Sequence, residues 1–129
     1  MLNVSAVMTK DPVTVGVDVP VYEAMKLLVE KNVTGLPVVD AQGKLVGVIT
    51  EKDMLRLLYQ EAVRENRVED FMTRDVVAFT TSDSVVDVCE CLIQNSFRRV
   101  PIVEEGRLVG IVSRSDLIKC ILEIRRVKK

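Results

Sequence analysis

The sequence contains no histidine and no tryptophan, and it has only three cysteines. Without histidine, a zinc site would need thiolates and carboxylates, and Cys89, Cys91 and Cys120 lie at spacings that fit no common zinc pattern. We therefore interpret these cysteines as small buried hydrophobic residues. The sequence also offers no activated nucleophile, phosphate-binding loop or metal cluster, so it predicts a protein that is not an enzyme and requires no cofactor.

Long apolar runs and a strong net charge are missing as well. No apolar stretch approaches the roughly 20 residues that span a bilayer, and the start of the chain lacks the pattern of a signal peptide. The net charge of −1 gives no general attraction to nucleic acid or to membrane surfaces. We interpret the basic residues from Arg125 to Lys129 as complementing a helix dipole. A cytoplasmic protein without a membrane or nucleic-acid partner is expected.

The chain does contain an internal repeat. Val7-Met8-Thr9-Lys10-Asp11 returns as Phe71-Met72-Thr73-Arg74-Asp75, and Leu45-Val46-Gly47 returns as Leu108-Val109-Gly110. The repeats are assigned to residues 1–62 and 63–129. Because a unit of about 60 residues buries little surface alone, the two are predicted to pack about a pseudo-two-fold axis with clefts between them.

Each repeat is predicted to be α+β, with the order strand–helix–strand–strand–helix. The first helices are expected to begin at the N-caps Asp18 and Ser82, and the second helices after Thr50 and Ser113. The polar stretch Glu61–Asp70 is predicted to hold a helix end and the linker. The predicted strands, of which the last two in each repeat form an antiparallel hairpin, are Val13–Val15, Leu36–Asp40, Leu45–Ile49, Val77–Phe79, Val100–Glu104 and Leu108–Val112.

The face of the first helix is predicted from its apolar spacing. Val21, Ala24, Met25 and Leu28 follow the helical period, so this face is expected to be buried. The apolar residues around the second helix of the first repeat leave two interpretations open, an oligomer face or the core between the repeats; they are Met54, Leu57, Leu58 and Tyr59.

The two strand-to-helix junctions carry the candidate chemistry, at Thr50-Glu51-Lys52-Asp53 and Ser113-Arg114-Ser115-Asp116. Either tetrapeptide fits a capping box, in which a hydroxyl and an acidic side chain satisfy free helix amides. A carboxylate fixed at a helix start can also accept both hydroxyls of a ribose, and the amides nearby suit a phosphate. A cap alone and a cap with a nucleotide site are both consistent with the sequence.

The repeated motifs together resemble a tandem cystathionine-β-synthase-type (CBS) domain pair, or Bateman module. The resemblance covers about residues 1–125 and rests on Met8–Val13, Leu36–Asp40, Val100–Val103 and the Gly-x-x-Thr/Ser-x-x-Asp pattern in both halves. Modules of this family are usually regulators rather than enzymes. They bind adenosine-containing ligands between the repeats and commonly form flat dimers.

The resemblance also implies two ligand sites. The site in the second half would bind phosphate through an arginine and ribose through the junction, lined by the first-helix start of the other repeat. Because neighbouring strand residues point to opposite faces, at most one of its two arginines is expected to enter the cleft. Its predicted residues are Arg98, Arg99, Ser113, Ser115, Asp116, Val19 and Ala24.

The corresponding site in the first half differs in charge. Gly35 supplies no cation where the second half has Arg99, and Asp83 would place an acid near any phosphate, although Lys52 could compensate. This site is expected to prefer a less charged ligand or to stay empty. Its predicted residues are Thr34, Gly35, Thr50, Lys52, Asp53, Asp83 and Val88.

The expected function is therefore an energy-sensing regulator that binds AMP, ADP, ATP or S-adenosylmethionine. It is expected to form a homodimer and to deliver its output in trans to an unknown effector protein, since a chain of this length leaves no room for an output domain. The alternative is a protein-interaction or dimerisation module whose clefts are vestigial and empty.

Overall fold

The computed structural model describes residues 3–59 and 66–127, and this part of the chain contains seven strands and five helices. The strands are β1 (Thr9–Lys10), β2 (Val15–Gly16), β3 (Gly35–Val39), β4 (Leu45–Thr50), β5 (Phe79–Thr80), β6 (Arg99–Glu104) and β7 (Arg107–Ser113). The helices are α1 (Val21–Lys31), α2 (Glu51–Leu55), α3 (Val68–Phe71), α4 (Val85–Gln94) and α5 (Arg114–Val127). None of these helices combines the length and apolar character that a membrane crossing requires.

The first of two compact units is Val13–Val76. Its sheet has the order β2-β3-β4, in which β2 runs parallel to β3 and β3 forms an antiparallel hairpin with β4. On the predicted face of α1, Val21, Ala24 and Leu28 are buried in the core, and Met25 is half-buried and packs against it. The core of this unit also takes in Leu36, Val38, Ile49, Met54, Leu57, Val68 and Phe71.

The second unit combines the residues up to Pro12 with those from Val77 onward. Its sheet has the order β1-β7-β6-β5, with β5 parallel to β6 and the remaining pairs antiparallel. Its core is formed by Val4, Val88, Leu92, Val100, Ile102, Val112 and Leu117. The opening segment of the chain thus belongs to the unit that holds the second repeat.

The duplicated β-α-β-β-α order is confirmed, and both predicted hairpins lie within one residue of their predicted bounds. The predicted repeat boundary, between residues 62 and 63, falls in a segment outside the described residues and stays a prediction. In the predicted linker Glu61–Asp70, residues 61–65 are likewise outside the description, and Val68–Phe71 is a short helix.

The predicted N-caps Asp18 and Ser82 are wrong, because both first helices begin later. α1 starts at Val21 after Pro20, and α4 starts at Val85, where the Ser84 hydroxyl accepts a hydrogen bond from the Val86 amide. Val17 and Asp18 form a turn ahead of α1, in which the Val19 amide donates to Gly16, and Val68 and Glu69 donate to the carbonyls of Val19 and Val17. The approach to α4 is held in the same way by Val4 and Ser5, which donate to Asp83 and Thr81.

The first strand of each unit is also displaced from its prediction. β2 and β5 lie at Val15–Gly16 and Phe79–Thr80, so each starts two residues beyond the predicted starts at Val13 and Val77. Only these pairs of residues find parallel partners, on β3 and β6. The strand bounds are therefore set by the neighbouring strand rather than by the apolar residues of the segment.

The cysteines have the packing predicted for small hydrophobic residues. Cys120 is buried, whereas Cys89 and Cys91 are half-buried and pack against the core of the second unit. Around the second helix of the first repeat, Met54 and Leu57 are buried in the core of the first unit, and Leu58 and Tyr59 are exposed. The two interpretations, an oligomer face or a core between the repeats, stay predictions.

Each unit receives a Met-Thr segment that precedes the other repeat in the sequence. Thr9 and Lys10 pair with Ile111 and Gly110 on β7, while Thr73 pairs with Val48 on β4. This approach is close because each strand carries a glycine where the Met-Thr segment crosses it. A Cβ on Gly110 would lie 2.7 Å from Met8 Sδ and 2.9 Å from the Thr9 carbonyl oxygen.

The first strand hairpin shows the same constraint. A Cβ on Gly47 would lie 2.8 Å from both Met72 Sδ and the Thr73 carbonyl oxygen. Because a backbone oxygen is involved in each case, trimming the methionine side chain would not relieve the clash. Both Met-Thr segments therefore require a residue without a Cβ on the strand they join.

We expect Gly110→Ala to lower the free energy of unfolding by about 1–3 kcal/mol, because the added methyl group forces β1 away from β7. Urea denaturation measures this change. Gly16→Ala is the matched control, since its added Cβ meets no atom closer than 3.4 Å. Equal stability of the two variants would show that the Met-Thr segment contributes nothing to the fold.

Candidate functional site at the strand–helix junctions

The second junction is organised around the Asp116 carboxylate. Its Oδ2 accepts hydrogen bonds from the Ser113 backbone amide at 2.8 Å and from Ser113 Oγ at 3.0 Å. The Asp116 amide donates in turn to Ser113 Oγ at 3.2 Å. This is the predicted capping box, and it fixes the carboxylate where β7 ends and α5 begins.

The first junction repeats this arrangement. Asp53 Oδ2 accepts from the Thr50 amide at 2.9 Å and from Thr50 Oγ1 at 3.0 Å, and the Asp53 amide donates to Thr50 Oγ1 at 3.3 Å. The carbonyl of Thr34 accepts from the first amide of α2, as the carbonyl of Arg98 does at the start of α5. The two junctions therefore share one backbone frame.

A threonine from each Met-Thr segment completes the junction. Thr9 Oγ1 donates to Asp116 at 3.2 Å from Oδ1 and 3.4 Å from Oδ2, and Thr73 Oγ1 lies 3.4 Å from Asp53 Oδ1. The sequence analysis missed both residues. The repeated Met-Thr pair was the available signal, but it does not reveal which junction each threonine joins.

The arginine predicted to bind phosphate lies beside the second junction. Arg99 on β6 is paired in register with Ser113 on β7, so their side chains share a face of the sheet. Arg99 Nε is buried and finds no hydrogen-bond partner among the described residues. Arg98 is exposed and, as the preceding residue, points to the opposite face.

The first junction lacks this cation. Gly35 occupies the position paired with Thr50, and a Cβ there would already lie 3.2 Å from Thr50 Cγ2. Lys52 is exposed on α2. At the corresponding place in the second junction, Ser115 Oγ lies 2.9 Å from Ser113 Oγ. The junctions thus share their acidic centre and differ in the side chains around it.

The remaining predicted residues lie elsewhere in their own units. Ala24 and Val88 are fully buried in the cores, and Val19 is half-buried against the core of the first unit. The Asp83 carboxylate accepts a hydrogen bond from the Thr80 amide at 2.7 Å. The proposed roles of these four residues in the opposite repeat's site stay predictions.

Chemically, each junction offers a fixed carboxylate whose Oδ2 is occupied by the cap and whose Oδ1, among the described residues, receives just the threonine hydroxyl. The second junction adds a serine hydroxyl and a guanidinium on the same side of the sheet. Fixed acceptors of this kind suit paired hydroxyl groups, and the guanidinium suits an anion. Among the described residues, no group of three or more cysteine, aspartate or glutamate side chains is placed to hold a metal ion.

Comparison with known proteins identifies a family that matches most of the chain, including both junctions. The model of the CBS domain matches residues 4–60 and 68–123. The protein MJ1225 of Methanocaldococcus jannaschii is 36% identical over 118 residues, which cover 92% of this chain and 42% of that protein. The chain therefore spans less than half the length of this relative.

Two solved structures of similar proteins contain ligands. CBSX2 of Arabidopsis thaliana, in complex with AMP, is 34% identical with a TM-score of 0.88, over 97% of this chain and 99% of that chain. The CBS domain pair of MJ0100, in complex with 5′-methylthioadenosine and S-adenosyl-L-methionine, is 32% identical with a TM-score of 0.80, over 94% of this chain and 96% of that chain. The three ligands share an adenosine moiety.

Proposed function

The chain belongs to the CBS-domain family, with one CBS domain in each repeat, and from this we propose that it is a non-catalytic regulatory module for an adenosine-containing ligand. The observation that carries the proposal is the Asp116 carboxylate, which the fold holds rigidly through Oδ2 while Oδ1 retains acceptor capacity. An adenosine ligand would place its ribose hydroxyls there. AMP, ADP, ATP and S-adenosylmethionine all satisfy this requirement.

The second junction is the better candidate because it also supplies a partner for phosphate. A buried guanidinium nitrogen without a hydrogen-bond acceptor is energetically costly, and Arg99 Nε is in that position. An anionic group beside Arg99 would supply the hydrogen-bond acceptor that the guanidinium lacks. The first junction has Gly35 in place of Arg99, so it would take a ligand with less negative charge or remain empty.

Regulation requires that the ligand favour one arrangement of the protein over another. We propose that a separate effector protein binds one of these arrangements and so responds to the ligand. Identical structures of the protein with and without bound ligand would argue against this coupling.

We expect one of AMP, ADP, ATP or S-adenosylmethionine to raise the midpoint of thermal unfolding, because ligand at 100 times its dissociation constant stabilises by about 2.7 kcal/mol. Asp116→Asn keeps an oxygen for the Ser113 amide but loses the charge, so it should weaken binding at least about tenfold. Asp53→Asn is the matched control and should retain the shift. No shift with any ligand in the wild-type protein would refute the proposal.

A second measurement tests the role of Arg99. Arg99→Gln should weaken AMP about 10- to 100-fold in calorimetric titration, because a charge-assisted bond to phosphate is lost, while adenosine should bind as it does to the wild type. Arg98→Gln is the control and should leave both affinities unchanged. Equal loss of AMP and adenosine in Arg99→Gln would instead indicate a structural role.

The exposed apolar residues favour a second candidate function, an interaction or dimerisation module. Large exposed apolar patches are uncommon on monomers, and here they occur at corresponding places in both repeats. The residues are Leu55, Leu58 and Tyr59 in the first repeat and Ile118, Ile121 and Leu122 in the second, each at least 58% exposed. We propose that these faces pair two copies of the chain in a homodimer.

We expect the wild-type protein to have the mass of a dimer in light scattering coupled to size exclusion. Ile121→Glu should shift it toward the monomer, because the carboxylate would be buried without a partner. Lys119→Glu, an exposed neighbour outside this face, is the control. A monomeric wild-type protein would contradict the homodimer.

A further inference from the structure

The hydrogen bonds already made by Asp116 limit what a ribose can use. A carboxylate offers about four acceptor sites, two on each oxygen. Ser113 occupies both sites of Oδ2 through its amide and its hydroxyl, and Thr9 occupies one site of Oδ1 at 3.2 Å. One site remains on Oδ1. A ribose diol brings two donors, so its second hydroxyl needs a different acceptor.

Thr9 provides that acceptor. Its hydrogen is directed to the carboxylate, so the lone pairs of Oγ1 remain available, and the residue is exposed. We propose that Thr9, from the segment ahead of the first repeat, binds the ribose together with Asp116 and sets the selectivity for a diol. This inference rests on the proposed function. One hydroxyl would donate to Asp116 Oδ1 and the other to Thr9 Oγ1.

Ser115 is the competing acceptor, since its hydroxyl lies 2.9 Å from Ser113 Oγ. Two observations favour Thr9. Thr9 hydrogen-bonds the oxygen that has a site to spare, whereas the hydrogen bond of Ser115 among the described side chains goes to Ser113. The first junction retains the threonine as Thr73, with the same bond to Asp53 Oδ1, but has Lys52 in place of Ser115.

The test compares AMP with its 2′-deoxy and 3′-deoxy analogues by calorimetric titration. The wild-type protein should bind both analogues more weakly than AMP, because each lacks one of the two donors. In Thr9→Val, AMP should weaken about tenfold and the preference over one analogue should disappear, while the preference over the other analogue persists. Thr9→Ser retains a hydroxyl and should preserve both preferences.

The fold should tolerate these changes, because Thr9 is exposed on an edge strand and valine is a good strand residue. Thr9→Ala is a second variant without the hydroxyl and should match Thr9→Val. Ser115→Ala removes the competing acceptor, and the proposal predicts that it leaves both preferences intact.

The outcomes separate the two proposals. Unchanged preferences in Thr9→Val and Thr9→Ala, with AMP still dependent on Asp116, would overturn the role of Thr9 alone. Loss of one preference in Ser115→Ala instead would assign the second acceptor to Ser115. Failure of the wild-type protein to bind AMP or either analogue would overturn the proposed function and the selectivity role together.

Discussion

The bond between the backbone amide that ends a strand and the carboxylate in the next helical turn organises both units. At 2.8 Å in the second junction and 2.9 Å in the first, it ties β7 to α5 and β4 to α2. The same carboxylates receive Thr9 and Thr73 from the Met-Thr segments. One acidic side chain therefore holds together a strand, a helix and a distant segment of the chain.

The two oxygens of the Asp116 carboxylate have different hydrogen-bond partners. Oδ2 serves the fold, since its partners are the cap residue's own amide and hydroxyl. Within the described part of the chain, Oδ1 accepts a single hydrogen bond, from a threonine hydroxyl, and has a lone pair to spare. Capping and binding are thus compatible on a single aspartate, which is why the capping pattern alone could not decide between a structural and a functional reading.

The backbone frame of the junctions is the same in both units, whereas their surroundings differ. Arg99 and Ser115 accompany the second junction, and Gly35 and Lys52 take these places in the first. None of these four residues supplies a capping-box bond, although Ser115 Oγ also contacts the cap hydroxyl of Ser113. Their chemistry can therefore change without altering the cap, which allows one fold to present two differently charged sites.

Sequence patterns predicted the hairpins, the buried face of α1 and both capping boxes, because each depends on residues close together in the chain. They misplaced the starts of α1 and α4, since the residues before each helix form a turn that Val68 or Val4 bonds from far away in the sequence. The Thr9–Asp116 bond was missed for the same reason. Residue types and spacing specify local structure, but distant backbone pairing decides where an element can begin.

The crossing of the Met-Thr segments bears on how such a protein could arise. A chain with a single repeat would lack the second hairpin, which is the one that its Met-Thr segment pairs with here. Two such chains could form the contact by pairing the Met-Thr segment of each with the hairpin of the other. After tandem duplication, the same exchange of segments takes place within one chain. The ancestor most compatible with this architecture is therefore a dimer of single repeats that swap their Met-Thr segments.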